Sequence, residues 1–203
     1  SVTSSLYAQK TMEYVKTCEY NDEVTLCDGV QVKFIDAGHL LGSGSLEMIL
    51  TEGGETRTIV FSGDIGNVDQ PIIRDPQFYT KADYVVMEST YGDRNHTEVW
   101  SYTDDLAQII DETLGRGGNV VIPSFAVGRT QELLYFIREI KDKNMVRSVP
   151  NFPVYVDSPL AKKATTLFCG DLRGYLDEEA LALVKDGTHM FNFPNLYLTE
   201  SME

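Results

Sequence analysis

The sequence predicts an α/β fold, and three observations carry that expectation. The first part of the chain alternates apolar and polar residues at a period of two, as half-buried strands do; Gln31-Val32-Lys33-Phe34-Ile35 is the clearest stretch. The second part alternates short apolar runs with segments of helical period, a β-α-β-α order that calls for a parallel sheet with covering helices. The change of pattern falls near Tyr91 to Thr97, where a polar stretch separates the two.

The elements follow in order. Residues 4–17 form a short helix, with Ser4 or Ser5 as N-cap and Leu6, Met12 and Val15 apolar. Strands are expected at 30–35, 46–51 and 57–61, the last two joined as a hairpin through Gly53-Gly54. Residues 68–81 read as loop, with Pro71 and Pro76, and 84–87 as a short buried strand. A helix at 101–115 carries Leu106, Ile109, Ile110, Thr113 and Leu114 on one side and stops at the Gly115/Gly117/Gly118 cluster. A strand at 119–122 leads into a Pro-containing turn and a helix at 130–140 with Leu133, Leu134, Phe136 and Ile137 apolar. The remaining elements are a strand at 154–156, a helix starting at Pro159, and a helix at 177–185.

Composition narrows the function classes. The 203 residues are 42% apolar and 24% charged, which is ordinary globular composition. Lys and Arg number 17 against 31 Asp and Glu, a net charge of −14. That balance argues against a nucleic-acid coat or a membrane-surface protein, both of which need positive charge. An enzyme that grips phosphates locally through metal ions remains open. Cys18, Cys27 and Cys169 are odd in number and contain no CxxC, so reduced thiols in a cytoplasmic protein are expected. No apolar run reaches the length of a membrane span, and the N-terminus does not read as a signal peptide. The absence of an initiator Met leads to the expectation that the chain begins inside a longer protein.

If the first three strands run up, down and up, the first and third end at the same sheet edge. The loop after the first is Asp36-Ala37-Gly38-His39-Leu40-Leu41-Gly42-Ser43-Gly44-Ser45, and the loop after the third is Ser62-Gly63-Asp64-Ile65-Gly66. Topology thus brings His39 and Asp64 to one rim, and imidazole with carboxylate is a common zinc or manganese donor set. On these residues alone, a loop histidine and a turn aspartate are equally good readings. His96 reads as an exposed loop residue and His189 as structural, neither having a partner at ligand spacing.

Five segments in order change the balance: DAGHLLGSGS, FSGDIG, MESTYGDR, IPSFAVGRTQELL and VDSPLA. Together, over roughly residues 30–161, they resemble the β-CASP branch of the metallo-β-lactamase superfamily. That branch holds RNA nucleases of the cleavage-and-polyadenylation type and prokaryotic relatives. The resemblance implies the later part of an αββα sandwich at 1–92 and much of an inserted β-CASP α/β domain at 93–203. It implies a ribonuclease cleaving RNA phosphodiesters through a hydroxide activated by two zinc ions. His39 would bind one metal, Asp64 would bridge two, and Glu88 would orient a histidine that donates a proton. Ser124 and Arg129 would contact substrate, the turn at 124–129 offering N–H groups to phosphate. Plain helix initiation accounts for that turn equally well.

The family's main metal motif, His-x-His-x-Asp-His, does not occur here, and the only histidines are His39, His96 and His189. The chain is therefore expected to be an internal piece of a longer enzyme, itself metal-free and inactive for want of ligands. The alternative is a non-catalytic pseudo-enzyme or RNA-binding module on the same fold. A domain parted from its neighbours exposes apolar surface, so self-association is also expected.

Overall fold

A computed structural model describes residues 5–95, 101–170, 172, 174–187 and 189–199. His96 lies outside them. The N-terminal helix α1 covers Ser5–Thr11 and tightens into a 3-10 turn at Met12–Tyr14, shorter than the expected 4–17.

A five-stranded sheet follows: β1 (Glu23–Cys27), β2 (Val30–Asp36), β3 (Gly44–Glu52), β4 (Glu55–Phe61) and β5 (Tyr84–Val86), in spatial order β1-β2-β3-β4-β5. The β2-β3-β4 meander is antiparallel, and Glu52 pairs with Glu55 across the two-residue Gly53-Gly54 turn, as the hairpin signal requires. β1 was not anticipated. Its signal was present, since Asp28-Gly29 joins EVTLC to VQVKF and Asp-Gly is a strong two-residue hairpin turn. β5 pairs parallel to β4 through Ile59↔Tyr84, Val60↔Val85 and Phe61↔Val86.

The expected burial of 84–87 is overturned: Tyr84, Val85, Val86 and Met87 are all more than half exposed. β5 is the last strand of the sheet and nothing among the described residues packs over it, so an apolar run does not become core. Val85 and Met87 instead line an open cavity of about 340 Å³ with Ile35, Val60 and Phe78.

The main core lies in the second part. Helix α2 (Tyr102–Gly115) starts at Ser101, whose hydroxyl accepts from the Asp104 N–H at 3.1 Å. It turns Ala107 and Ile110 inward, whereas Ile109, expected on the apolar side, is exposed. Helix α3 (Arg129–Asp142) is the most deeply buried, with Leu134, Ile137 and Ile140 facing Phe152, Phe168, Met190 and Phe191. Helix α4 (Pro159–Phe168) has Ser158 as N-cap and Pro in its first turn, and α5 (Glu178–Lys185) is capped by Asp177.

Among the described residues, the parallel sheet of this part consists of β6 (Val154–Val156) and β7 (Leu196–Leu198). Residues 119–122 form no strand: no ladder joins them among the described residues, and Val121 is 85% exposed. Their composition favours extended backbone, but a strand needs a neighbour's N–H and C=O groups, which composition does not supply. The two parts meet through the loop after β4. Ile72 is 2% exposed in the helical core, its carbonyl accepts from the Asp177 N–H at 3.0 Å, and Ile73 bridges Leu176.

Candidate functional site

Three loops leave the same sheet edge. β2 and β4 both run antiparallel to β3, and β5 runs parallel to β4, so all three end together. The loop after β2 carries His39, the loop after β4 carries Asp64, and Glu88 comes two residues past β5. The rim inferred for His39 and Asp64 thus exists, and the parallel pairing of β5 adds Glu88 to it.

The His39 loop is a closed turn. Ser43 Oγ accepts from the backbone N–H groups of His39 (3.0 Å) and Leu40 (3.1 Å), while the Ser43 carbonyl accepts from Ala37 N–H at 3.1 Å and from the Tyr20 hydroxyl at 2.7 Å. Burial, with Asp36 nearby, pushes the Tyr20 phenol up to about 12, so it stays a donor. Asp36 Oδ1 accepts from Gly38 N–H at 2.9 Å, setting the start of the turn. Burial pushes the Asp36 carboxyl up, against the Gly38 bond and the Arg74 charge.

The Asp64 loop is tied to the His39 loop. Gly66 N–H donates to the Ala37 carbonyl at 2.9 Å. A Cβ on Gly66 would lie 1.7 Å from the Gly38 carbonyl oxygen, so only glycine permits this approach. Asp64 is exposed, with no side-chain hydrogen bond or ion pair among the described residues.

Glu88 is held from two sides. Its Oε1 accepts from Ile65 N–H at 2.8 Å and its Oε2 from the Thr90 hydroxyl at 2.7 Å. These bonds, the Ile65 one first, hold its carboxyl below the usual carboxylate range, with His39 adding to the effect. Ser62 links the two strand ends: its N–H donates to Val86 O at 2.9 Å and its Oγ accepts from Glu88 N–H at 3.0 Å.

The turn before α3 is organised by a residue that sequence reading passed over. Gln131 is fully buried; its Oε1 accepts from Gly128 N–H at 2.7 Å, and its Nε2 donates to Ala126 O (3.1 Å) and Thr165 Oγ1 (2.9 Å). Of the expected substrate contacts, Ser124 is exposed but bonded to Thr130 Oγ1 at 2.8 Å. Arg129, the first residue of α3, pairs with Glu132 at 2.5 Å. The Gly128 N–H, a donor a phosphate would use, is already taken by Gln131. His189 is exposed.

Asp36, Gln131 and Glu132 were not singled out as site residues, although all three stand inside the quoted segments. A signal was available for Gln131 alone: a Gln at the third helical position is the reciprocal cap of a helix N-terminus.

The donor chemistry of His39 and Asp64 fits a zinc or manganese ion: an imidazole and a carboxylate on two loops bonded to each other. They supply two donors. Among the described residues no group of three His, Cys, Asp or Glu side chains is placed to hold an ion.

Residues 130–203 match the Beta-Casp domain. Over 195 residues the chain is 34% identical to a ribonuclease of Thermus thermophilus, covering 96% of this chain and 43% of that protein. It is 32% identical to an RNase J-like protein of Methanocaldococcus jannaschii, over 75% of this chain and 35% of the relative. It is 30% identical to cleavage and polyadenylation specificity factor subunit 3-I of Arabidopsis thaliana, over 78% of this chain and 22% of the relative. The chain spans less than half the length of these relatives.

Proposed function

Because this chain belongs to the β-CASP family, we propose that it is part of a metal-dependent nuclease that hydrolyses RNA phosphodiesters. The observation that carries the proposal is the meeting of the His39, Asp64 and Glu88 loops at one sheet edge, bonded to one another through Gly66, Ile65 and Ser62. Relatives named as ribonucleases support RNA as the substrate class.

The chain's own residues have separable roles in this reading. His39 would offer a ring nitrogen and Asp64 an unpartnered carboxylate to a pair of zinc ions; the described residues place no third His, Cys, Asp or Glu to hold an ion with them. When bound, the ions supply hydroxide near neutral pH and offset charge on the phosphate oxygens. Glu88, kept ionised by Ile65 and Thr90, is an acceptor suited to orienting a protonated group at the rim. Ser124 and Arg129 stand on the neighbouring turn, where Arg129 is more than half exposed and can reach a phosphate.

In the whole protein, His39→Ala and Asp64→Ala are each expected to abolish cleavage of a labelled single-stranded RNA. Full activity in either variant refutes the metal assignment, and faster cleavage of DNA of the same sequence refutes the substrate class. The exposed edge of β5 supports self-association of this chain, and a sedimentation coefficient that stays at the monomer value over a tenfold concentration range refutes it. Three free cysteines support a cytoplasmic location, which imaging of the tagged protein tests.

A further inference from the structure

A histidine that binds a metal through one ring nitrogen needs an acceptor for the N–H of the other, because that bond sets its tautomer and aims the ring. The backbone of His39 is fixed by Ser43, but among the described residues no hydrogen bond fixes its side chain. Two carboxylates interact with it electrostatically, Glu88 on the rim and Glu132 on α3. Each Glu88 oxygen already accepts one bond, from Ile65 N–H and from the Thr90 hydroxyl. Glu132 differs. Arg129 binds its Oε2, and its Oε1 has no partner among the described residues.

The packing holds Glu132 beside His39. The first turn of α3 sits so close to the His39 loop that a Cβ on Gly128 would come within 2.3 Å of Leu40 Cδ2. His39, Leu40, Gly128, Glu132 and Phe168 line one cavity of about 10 Å³, room for about one water molecule. The Glu132 side chain is 13% exposed, and a charge so placed is costly unless polar partners surround it. Arg129 is one such partner, and His39 lines the same cavity.

We propose that Glu132 is a positioning residue for His39: its free oxygen accepts the imidazole N–H across this cavity and leaves the second ring nitrogen aimed at the rim. The proposal rests on the reading of His39 as a metal ligand. It makes the site composite, since α3 lies almost wholly within the matched Beta-Casp segment whereas His39 lies on the loop after β2.

The test uses the whole protein with Glu132→Gln, Glu132→Asp and His39→Ala. Two readouts are taken: zinc affinity by competition with a chromophoric chelator, and the imidazole ¹⁵N shifts of His39 in metal-free protein at fixed pH. Glu132→Gln is expected to weaken zinc binding roughly 10- to 100-fold and to change the His39 tautomer ratio, and Glu132→Asp to recover part of both. Zinc affinity and His39 shifts that are unchanged in Glu132→Gln, with His39→Ala still losing zinc, overturn the proposal and leave the metal reading standing. Unchanged zinc affinity in His39→Ala overturns the metal reading, while shifted His39 resonances in Glu132→Gln still uphold the positioning contact. Should Glu132→Gln not fold, the same two readouts on Glu132→Asp decide: unchanged values overturn the proposal.

Discussion

Replacing Gln131 by glutamate isolates what its amide does. The two side chains have nearly the same shape, so no cavity forms, and the acceptor for Gly128 N–H is kept. The donor is lost. An ionised carboxylate would face the Ala126 carbonyl and the Thr165 hydroxyl oxygen, which the amide now bonds at 3.1 and 2.9 Å. Gln131 is 0% exposed, and buried glutamates are known to titrate as high as about 8–9. The introduced carboxyl is therefore protonated in the folded state and ionised in the unfolded one, where its pKa is about 4.3.

Here the folded pKa is raised, so the destabilisation is absent below the unfolded value and grows as pH rises towards the folded one. Each unit adds about 1.4 kcal/mol. About 3.2 units at about pH 7.5 give a loss of about 4 kcal/mol, against about 1.6 kcal/mol at about pH 5.5. At about 2–4 °C per kcal/mol for a chain of this size, Tm should fall by about 8–16 °C at the higher pH and by less than half that at the lower. The assay is thermal unfolding by circular dichroism, each variant compared with wild type at the same pH. Gln131→Met is the control, since its deficit has no titrating group and should not vary with pH. A Gln131→Glu deficit equal at both pH values, or below about 1 kcal/mol at the higher, refutes the assignment of Gln131 as the buried clamp of the turn.

Two further outcomes are expected. Gly66→Ala forces the Asp64 and His39 loops apart, because the new Cβ overlaps the Gly38 carbonyl; it should lower the unfolding midpoint and cut zinc affinity in the whole protein, whereas Gly174→Ala, where a Cβ meets nothing within 4 Å, should stay within about 0.5 kcal/mol of wild type. Thr90→Val removes one of the bonds that hold Glu88 below the usual carboxylate range, so the Glu88 carboxyl titration followed by ¹³C NMR should move up. Because a lowered folded pKa stabilises above about 4.3 and that stability is lost as pH falls through the folded value, Thr90→Val should also narrow the difference in stability between neutral and acid pH.

Local chemistry was enough to read the meander, the Gly53-Gly54 hairpin, the strand at 154–156 and the helices starting near Ser101 and Pro159, because each follows from periodicity, caps and turn residues a few positions apart. The same chemistry put His39 and Asp64 on one rim, since alternating strand direction decides which ends coincide. Burial was not legible in this way. The run at 84–87 and the segment at 119–122 have the composition of core strands, yet one lies exposed at a sheet edge and the other pairs with nothing among the described residues. What covers a strand, and what bonds to it, is set by elements distant in sequence. Glu132 shows the same division at the site: 93 positions separate it from His39, and its helical period marks it only as a polar residue of α3. Only the docking of Gly128 against Leu40 places that carboxylate beside the imidazole. The sequence by itself determined which donors are present and which local turns display them; the tertiary structure decided which donors meet, because meeting depends on packing between segments that have no local relation.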